Sequence, residues 1–419
     1  MRILVLGSGA REHAIVTALR AEDEPHTITV APGNAGIAAD AELLDLDPDD
    51  PRAVADHAIH ASVDLVIIGP EAPLVAGVAD AVRTRGIPVF GPGAAAAALE
   101  GSKTFAKRIM AAAQVPTGGS RLVDSAAEAE EALRAFGAPH VVKADGLAAG
   151  KGVLVTDDLA AALAHAERWL DAGPVLVEEF LDGPEVSLFL LSDGSTVVPL
   201  SPAQDFKRAL DGDAGPNTGG MGAYSPLPWL PAGFVDEVVE TIARPTIARL
   251  AHEETPFIGL LYCGLIVTAD GIRVIEFNAR FGDPETQVVL PRLRTPLSGL
   301  LLAAATGRLA ETPAPVFTDD AAVTVVLASE GYPDAPVLGR EVTGVDEADA
   351  LPGVHVAHAA TARDGDRLLA TGGRVLSVVG TGTDLAEARE RAYAGMARIG
   401  LEGGHHRRDI AANVDPAPR

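Results

Sequence analysis

Two stretches of this chain have the residue types and spacing that polyphosphate chemistry needs. The first, Val142-Lys143-Ala144-Asp145-Gly146-Leu147-Ala148-Ala149-Gly150-Lys151-Gly152, places two lysines and a backbone free of large side chains on a loop between two expected strands. Close approach to a phosphate requires such a loop. The second, Val274-Ile275-Glu276-Phe277-Asn278-Ala279-Arg280, ends a strand with an acid and an amide two residues apart, so both project from one face. Glu276 and Asn278 are the candidate oxygen ligands for a divalent cation, and Arg280, two residues further on, can reach the same face beside a γ-phosphate. Together they suit Mg-ATP. The glycine loop is not a Walker A motif: three residues separate Gly146 from Gly150, and Gly152, not a hydroxyl residue, follows Lys151. The metal must therefore be held elsewhere.

Lysine usage points to the same region. Of 33 basic residues only five are lysine, namely Lys103, Lys107, Lys143, Lys151 and Lys207, all in the middle of the chain. A compact, mobile ammonium has been kept where a planar guanidinium would not serve. Lys107 falls mid-helix and is expected on a solvated face. The net charge of −25 excludes nucleic acid as the main partner, leaving small anions drawn to local positive charge. Apolar runs are far shorter than the roughly 20 residues that span a bilayer, so no membrane is expected. Met1-Arg2 leads straight into Ile3-Leu4-Val5-Leu6 with no room for a signal peptide, and a cytoplasmic location is expected. The single cysteine, Cys263, lies in an apolar run and reads as a buried core residue.

The elements that must position these groups fall in three parts. Residues 1–100 alternate strand and helix and predict a doubly wound parallel sheet, with Gly7-Ser8-Gly9, Ala31-Pro32-Gly33-Asn34 and Gly69-Pro70-Glu71 lining one crevice at its carboxyl ends. A dinucleotide dehydrogenase is the rival reading, but Glu12 stands at the third glycine of the fingerprint and the second strand ends without an acid for a ribose hydroxyl. Arg11 instead suits a phosphate or carboxylate at a helix N-terminus. Residues 101–315 open with Ser102 as N-cap of a helix to Ala113, then a small α+β lid over about 117–185: helix 125–136, strands 140–143, 153–155 and 174–179, and helix 158–171. Glu178-Glu179-Phe180-Leu181 reads as a hinge that can pair with an adenine edge, with Glu185 near a ribose; the same acids also suit a solvated strand end. Residues 204–228 form a long irregular segment, and such segments in compact domains are usually functional, so Asp205, Lys207, Asn217, Thr218, Gly219 and Gly220 are candidate substrate contacts. A helix over 234–252 precedes a hairpin whose strands are Leu260 to Thr268 and Ile272 to Phe277. After Pro313-Ala314-Pro315, residues 316–419 predict a C-terminal α+β domain; its Gly372-Gly373-Arg374 could contact a ligand, and no metal is assigned to His405-His406.

The ordered set LGSGAREHA, APGNAG, GPEAPLVAGVAD, LEGSK, VKADGLAAGKGV, VEEFLDG, QDFKR, GPNTGGMGAYSP, VIEFNARFGDPETQ, GGRVL and RRDIA closely resembles the phosphoribosylamine–glycine ligase (glycinamide ribonucleotide synthetase) family of the ATP-grasp superfamily. The resemblance runs almost the whole length, departing at Phe206, where the family pattern has histidine. It implies an ATP-grasp fold, Mg²⁺ or Mn²⁺ at Glu276 and Asn278, and a monomer that takes ATP, glycine and 5-phosphoribosylamine and passes through glycyl phosphate. Lys103 and Lys143 would meet the phosphates, Lys143 at the α-phosphate, and the 146–152 loop would cover the β- and γ-phosphates. Glu178 to Leu181 would hold adenine, with Glu185 at the ribose. Gly7, Gly9, Arg11, Gly33, Asn34 and Glu71 would take the phosphorylated amine. Asp205, Lys207 and Asn217 to Gly220 would lie nearer glycine, and Arg280, Lys151 and Lys207 would act in the reaction. Another ATP-grasp carboxylate–amine ligase, such as a biotin carboxylase-like enzyme, would share the nucleotide half but lack the GNAG, GPEAP and PNTGGMGAYSP segments.

Overall fold

The computed structural model describes residues 1–146 and 152–414. In the N-terminal part the apolar run Arg2–Gly7 is the central strand of a five-stranded parallel sheet. It is flanked by Thr27–Pro32 and then Glu42–Leu43 on one side, and by Leu65–Ile68 and then Val89–Phe90 on the other. Buried apolar residues on both faces, Val5, Val30 and Ile67 on one and Leu4, Val66 and Ile68 on the other, are what a parallel sheet covered by helices requires.

The helix Ala10–Arg20 starts at the carboxyl end of the central strand, and its N-terminus decides the dehydrogenase question. The Glu12 side chain, 1% exposed, folds back so that Oε2 accepts the Gly9 N–H at 2.6 Å. A Cβ at Gly69 would collide with this carboxylate, and one at Gly7 would stand 2.6 Å from it. A negative group therefore fills the space where a dinucleotide pyrophosphate would sit, and the dehydrogenase reading fails on steric and electrostatic grounds.

The lid is a four-stranded antiparallel sheet in the order Ser120–Val123, Val175–Glu178, His140–Ala144, Val153–Thr156, backed by helices Ala126–Phe136 and Leu159–Leu170. It has its own small core, in which Leu133, Val142, Ala162 and Val177 meet. Next comes an antiparallel sheet in which Glu185–Asp193, a nine-residue strand that no sequence feature singled out, pairs with Ile258–Thr268, which pairs with Gly271–Asn278. Cys263 sits in the middle of this sheet, fully buried, where burial pushes its thiol upward and keeps it inert.

Two expectations are corrected here. The helix expected over 234–252 is interrupted: Phe234–Val238 and Arg244–His252 flank a π-helical turn at Val239–Ala243. Pro245 has no N–H to continue the regular ladder, and a wider turn accommodates it. The segment 204–228 is not irregular. Gln204–Asp205 and Gly222–Ser225 pair with each other, Arg208–Leu210 pairs with Ala214–Asn217, and Gly222–Ser225 also pairs with Ala321–Ala328. These strands are two to four residues long, too short to show alternation, and Gly222–Ser225 finds its second partner about a hundred residues downstream. The resulting five-stranded sheet continues through Arg374–Gly382 to Val354–His358.

The N- and C-terminal regions meet at three histidines. The His358 N–H donates to His13 Nδ1 at 2.8 Å, His13 Nε2 faces Asp40 at 3.4 Å, and His355 lies between Thr17 and Asp349. Burial first, then the neighbouring His13, pushes the His358 imidazole from 6.5 down to about 4. Between those values the unfolded chain binds a proton that the folded chain refuses, so this contribution is complete above about pH 6.5 and is lost as pH falls. Melting temperature is expected to drop from about pH 7 to about pH 5, before most carboxylates titrate. The substitution His358→Gln is expected to remove up to roughly 2 kcal/mol of that loss; identical slopes for the two proteins would assign the effect to another group. Among the described residues no helix is long and apolar enough to cross a membrane.

Candidate active site

A cavity of about 1210 Å³ lies between the inner face of the lid, the sheet carrying Glu276, and the C-terminal residues Ala411 to Val414. Three separated stretches supply its charged floor. The strand Gly271–Asn278 pairs with Ile258–Thr268 across a bulge between Gly264 and Leu265, and its carboxyl end presents Glu276 and Asn278 to the cavity. Ser102 caps the helix Lys103–Ala112 by accepting the Phe105 N–H at 3.1 Å, which aims Lys103 at Glu276, 3.8 Å away. Lys143, 4% exposed, emerges from the lid strand and meets Glu178 at 2.7 Å and the Ile275 carbonyl at 3.3 Å.

Acids and bases are interleaved along this lining, and the cations act on particular carboxylates. Burial works against ionisation of Glu276, but Lys103 first, then Lys143, Lys207 and Arg280, hold its carboxyl below the ordinary range. With 33% of its side chain open it remains accessible to a ligand. Arg280 is fixed by Glu100 at 3.0 Å and faces Glu71 at 3.7 Å; burial acts against its charge, and these carboxylates, Glu100 first, raise its pKa above the usual guanidinium value. Lys207 lies between Glu185 at 2.6 Å and Asp205 at 2.7 Å, which outweigh burial and hold it firmly protonated. Burial raises Asp205, the more enclosed of the two acids.

Among the described residues no group of three or more His, Cys, Asp or Glu is arranged to hold a metal by itself. Glu276 and Asn278 nevertheless supply two hard oxygen donors, one of them held ionised, which fits a magnesium-like ion that completes its shell with water and phosphate oxygens. At the lid hinge the N–H groups of Phe180 and Leu181 have no backbone partner among the described residues, while the Glu179 N–H is engaged by the Gly119 carbonyl at 2.9 Å.

The description of the phosphoribosylglycinamide synthetase N domain matches residues 1–100, that of the ATP-grasp (A) domain 101–286, and that of the C domain 322–413. A phosphoribosylamine–glycine ligase from Leifsonia xyli subsp. xyli is 69% identical over 417 residues, covering 99% of this chain and 100% of that one. The chain belongs to the phosphoribosylamine–glycine ligase family. Its relative in Mycobacterium tuberculosis (strain ATCC 25618 / H37Rv) is 55% identical over 98% of this chain and 97% of its own length. The crystal structure of phosphoribosylamine–glycine ligase from Thermotoga maritima superposes with a TM-score of 0.83 at 33% identity, covering 98% of this chain and 100% of that one. The biotin carboxylase domain of Hydrogenobacter thermophilus 2-oxoglutarate carboxylase, with a TM-score of 0.68 and 16% identity over 97% of this chain and 91% of that one, shares the fold alone.

In this ligase-family chain the cavity gathers Arg11, Glu71, Lys103, Lys143, Gly146 and Gly152, the Glu178 to Leu181 hinge, Glu185, Asp205, Lys207, Asn217, Thr218, Gly219, Glu276, Asn278 and Arg280. Gly7, Gly9, Gly33, Asn34 and Gly220 are not on its wall. Gly150 and Lys151 fall outside the described residues. The Asn34 side chain, expected as a substrate contact, is engaged as a brace: its Nδ2 donates to the carbonyls of Ser8 and His358 at 2.8 Å each, and its Oδ1 accepts the N–H groups of Gly36 and Ile37. The Gly9 N–H is similarly occupied by Glu12. The Thr218 hydroxyl turns its own loop, donating to the Lys207 carbonyl and accepting the Gly220 N–H.

Lys107 is corrected in the other direction. It does not lie on a solvated face: its Nζ reaches Thr117 Oγ1 at 2.9 Å, the Gly118 carbonyl at 3.1 Å and Glu178 at 3.2 Å. The missed signal was spacing, because Lys103 and Lys107 are four apart on one helix and share a face. Glu100 was quoted within a motif but given no task; it accepts the Ala279 N–H at 2.7 Å and locks Arg280. Glu285, whose Oε1 accepts from Tyr262 at 2.8 Å and Ser187 at 3.1 Å, forms a second buried support that no local pattern announced. Phe206, where histidine was expected, has its ring centre 5.0 Å from the Arg407 guanidinium carbon.

Proposed function

We infer that this chain joins glycine to 5-phosphoribosylamine at the expense of ATP. A glycine carboxylate oxygen attacks the γ-phosphorus, the bond to ADP breaks, and glycyl phosphate forms. The amine nitrogen then attacks the acyl carbon and the bond to phosphate breaks. The observation that carries this reading is the convergence of Lys103, Lys143 and Arg280 on Glu276 at the floor of one cavity. Phosphoryl transfer depends chiefly on positioning and charge neutralisation, and these groups supply both. Glu276 and Asn278 would hold the divalent cation, whose charge would offset that of the phosphates. Lys143 sits to meet the α-phosphate, the Phe180 and Leu181 N–H groups to meet adenine, and Lys207 with Asp205 to order the glycine end. Arg11 and Glu71, across Arg280 from Glu276, face the phosphorylated amine. The lid excludes water from an acyl phosphate that would otherwise hydrolyse.

Purified protein is expected to release ADP only when glycine, ATP, a divalent cation and phosphoribosylamine generated in situ are all present. Alanine and serine are expected to give less than about a tenth of the glycine rate, since the second substituent must enter a site sized for none. ADP release that ignores either glycine or the amine would overturn the assignment.

A further inference from the structure

The Thr218-Gly219-Gly220 turn closes on an arginine from far downstream. Arg374 Nη1 donates to the Gly219 carbonyl at 2.6 Å and to the Asp283 carbonyl at 2.7 Å. A Cβ on Gly219 would stand 3.0 Å from the Arg374 guanidinium carbon, and one on Gly220, where φ is +111°, would collide with Pro284. The paired glycines therefore let the turn press against this guanidinium. Tyr332 completes the block: its hydroxyl accepts the Gly219 N–H at 3.0 Å, and its ring fills the space that a side chain at Gly373 would need.

These contacts engage only one nitrogen. Among the described residues Arg374 Nη2 and Nε have no protein partner, and the side chain, 23% exposed, lines the cavity. Arg11 mirrors it from the N-terminal region. Its Nη1 donates to the Phe281 carbonyl at 3.1 Å, its Nε pairs with Glu12 at 2.6 Å, and its Nη2 has no partner among the described residues. Two guanidinium groups thus grip carbonyls two residues apart and turn spare donors to the same space. The Asp283 carboxylate, 3.4 Å from Arg374 Nη1, offsets part of the local positive charge, so selectivity here rests on directed donors more than on net charge.

Building on the ligase reading, we propose that Arg374, together with Arg11, seats the phosphate of the phosphorylated amine, so that the C-terminal region supplies part of the substrate specificity. A planar fork of N–H donors matches phosphate oxygens in a way that an ammonium does not.

Ribose 5-phosphate is the probe, because it has the phosphate and the sugar without the reacting nitrogen. In the unmodified protein it is expected to inhibit competitively against phosphoribosylamine and to protect Arg374 from phenylglyoxal, as mapped by peptide mass spectrometry; glycine is expected to give no protection. Arg374→Gln is expected to raise the inhibition constant of ribose 5-phosphate and the KM of the amine by about 10- to 100-fold, with the KM values of ATP and glycine within about threefold. Arg374→Lys, which keeps the charge but not the fork, should recover only part of the loss. Should Arg374→Gln fail to fold, the protection experiment decides alone. Labelling of Arg374 that ribose 5-phosphate leaves unchanged, or a variant whose glycine KM moves while ribose 5-phosphate binding does not, overturns the proposal. Failure of the unmodified protein to couple glycine with the amine would instead strike the ligase reading, and the two failures are separable.

Discussion

Glu276→Gln is expected to lower the rate of ADP release at saturating substrates by at least about 1000-fold while leaving the fold intact. The amide has the same shape but removes a charge that Lys103 and, at longer range, Lys143, Lys207 and Arg280 hold ionised. ATP phosphates would still meet those cations, so nucleotide affinity should change by less than about tenfold, whereas the half-saturating concentration of Mg²⁺ should rise. Stability should change little, because the pair with Lys103 is 3.8 Å long and partly exposed, and such pairs contribute about 0–1 kcal/mol. Asn278→Ala, which removes a neutral donor, should have a smaller effect in the same direction. A Glu276→Gln enzyme working within tenfold of its parent, with unaltered magnesium dependence, would place the cation on other residues.

That such a prediction can be framed on residue 276 reflects how much of the site is written locally. The strand ending in Glu276 and Asn278 and the N-terminal strands each announce themselves through apolar runs broken by glycine or by a turn, and local sequence suffices because each element's own pattern sets its geometry. Residues 204–225 were opaque for the opposite reason: their strands are very short, and Gly222–Ser225 joins a larger sheet only through Ala321–Ala328. The same holds for polar partners. Asn34 resembled a ligand contact until the carbonyl of His358, more than three hundred residues away, was found to take its amide, and Glu100 had no visible task until Arg280 was placed beside it. Lys107 is a different kind of miss. Helical spacing from Lys103 already put it on the inward face, and only the general habit of lysine to seek solvent argued otherwise.

Lys107 and Lys143 also define the second large effect, at Glu178. This carboxylate is 6% exposed and lies 2.7 Å from Lys143 and 3.2 Å from Lys107. Burial opposes its ionisation, yet Lys143 first and then Lys107 hold its pKa below the ordinary value, so its contribution is complete at neutral pH and is lost as pH falls. Removing it by Glu178→Ala leaves two enclosed ammonium groups without their counter-charge, which is expected to cost about 3–5 kcal/mol. Glu178 ends a lid strand and the lid has a core of its own, so the loss should surface there first. Faster hydrogen exchange of the Val175–Glu178 and His140–Ala144 amides is expected, with those of Arg2–Gly7 unaffected. If both lysines face the nucleotide, ATP should restore more stability to the variant than to the parent, because the α-phosphate then replaces the missing carboxylate. A thermal shift with ATP that is equal in the two proteins would mean that the ammonium groups serve the lid alone and never meet the phosphates.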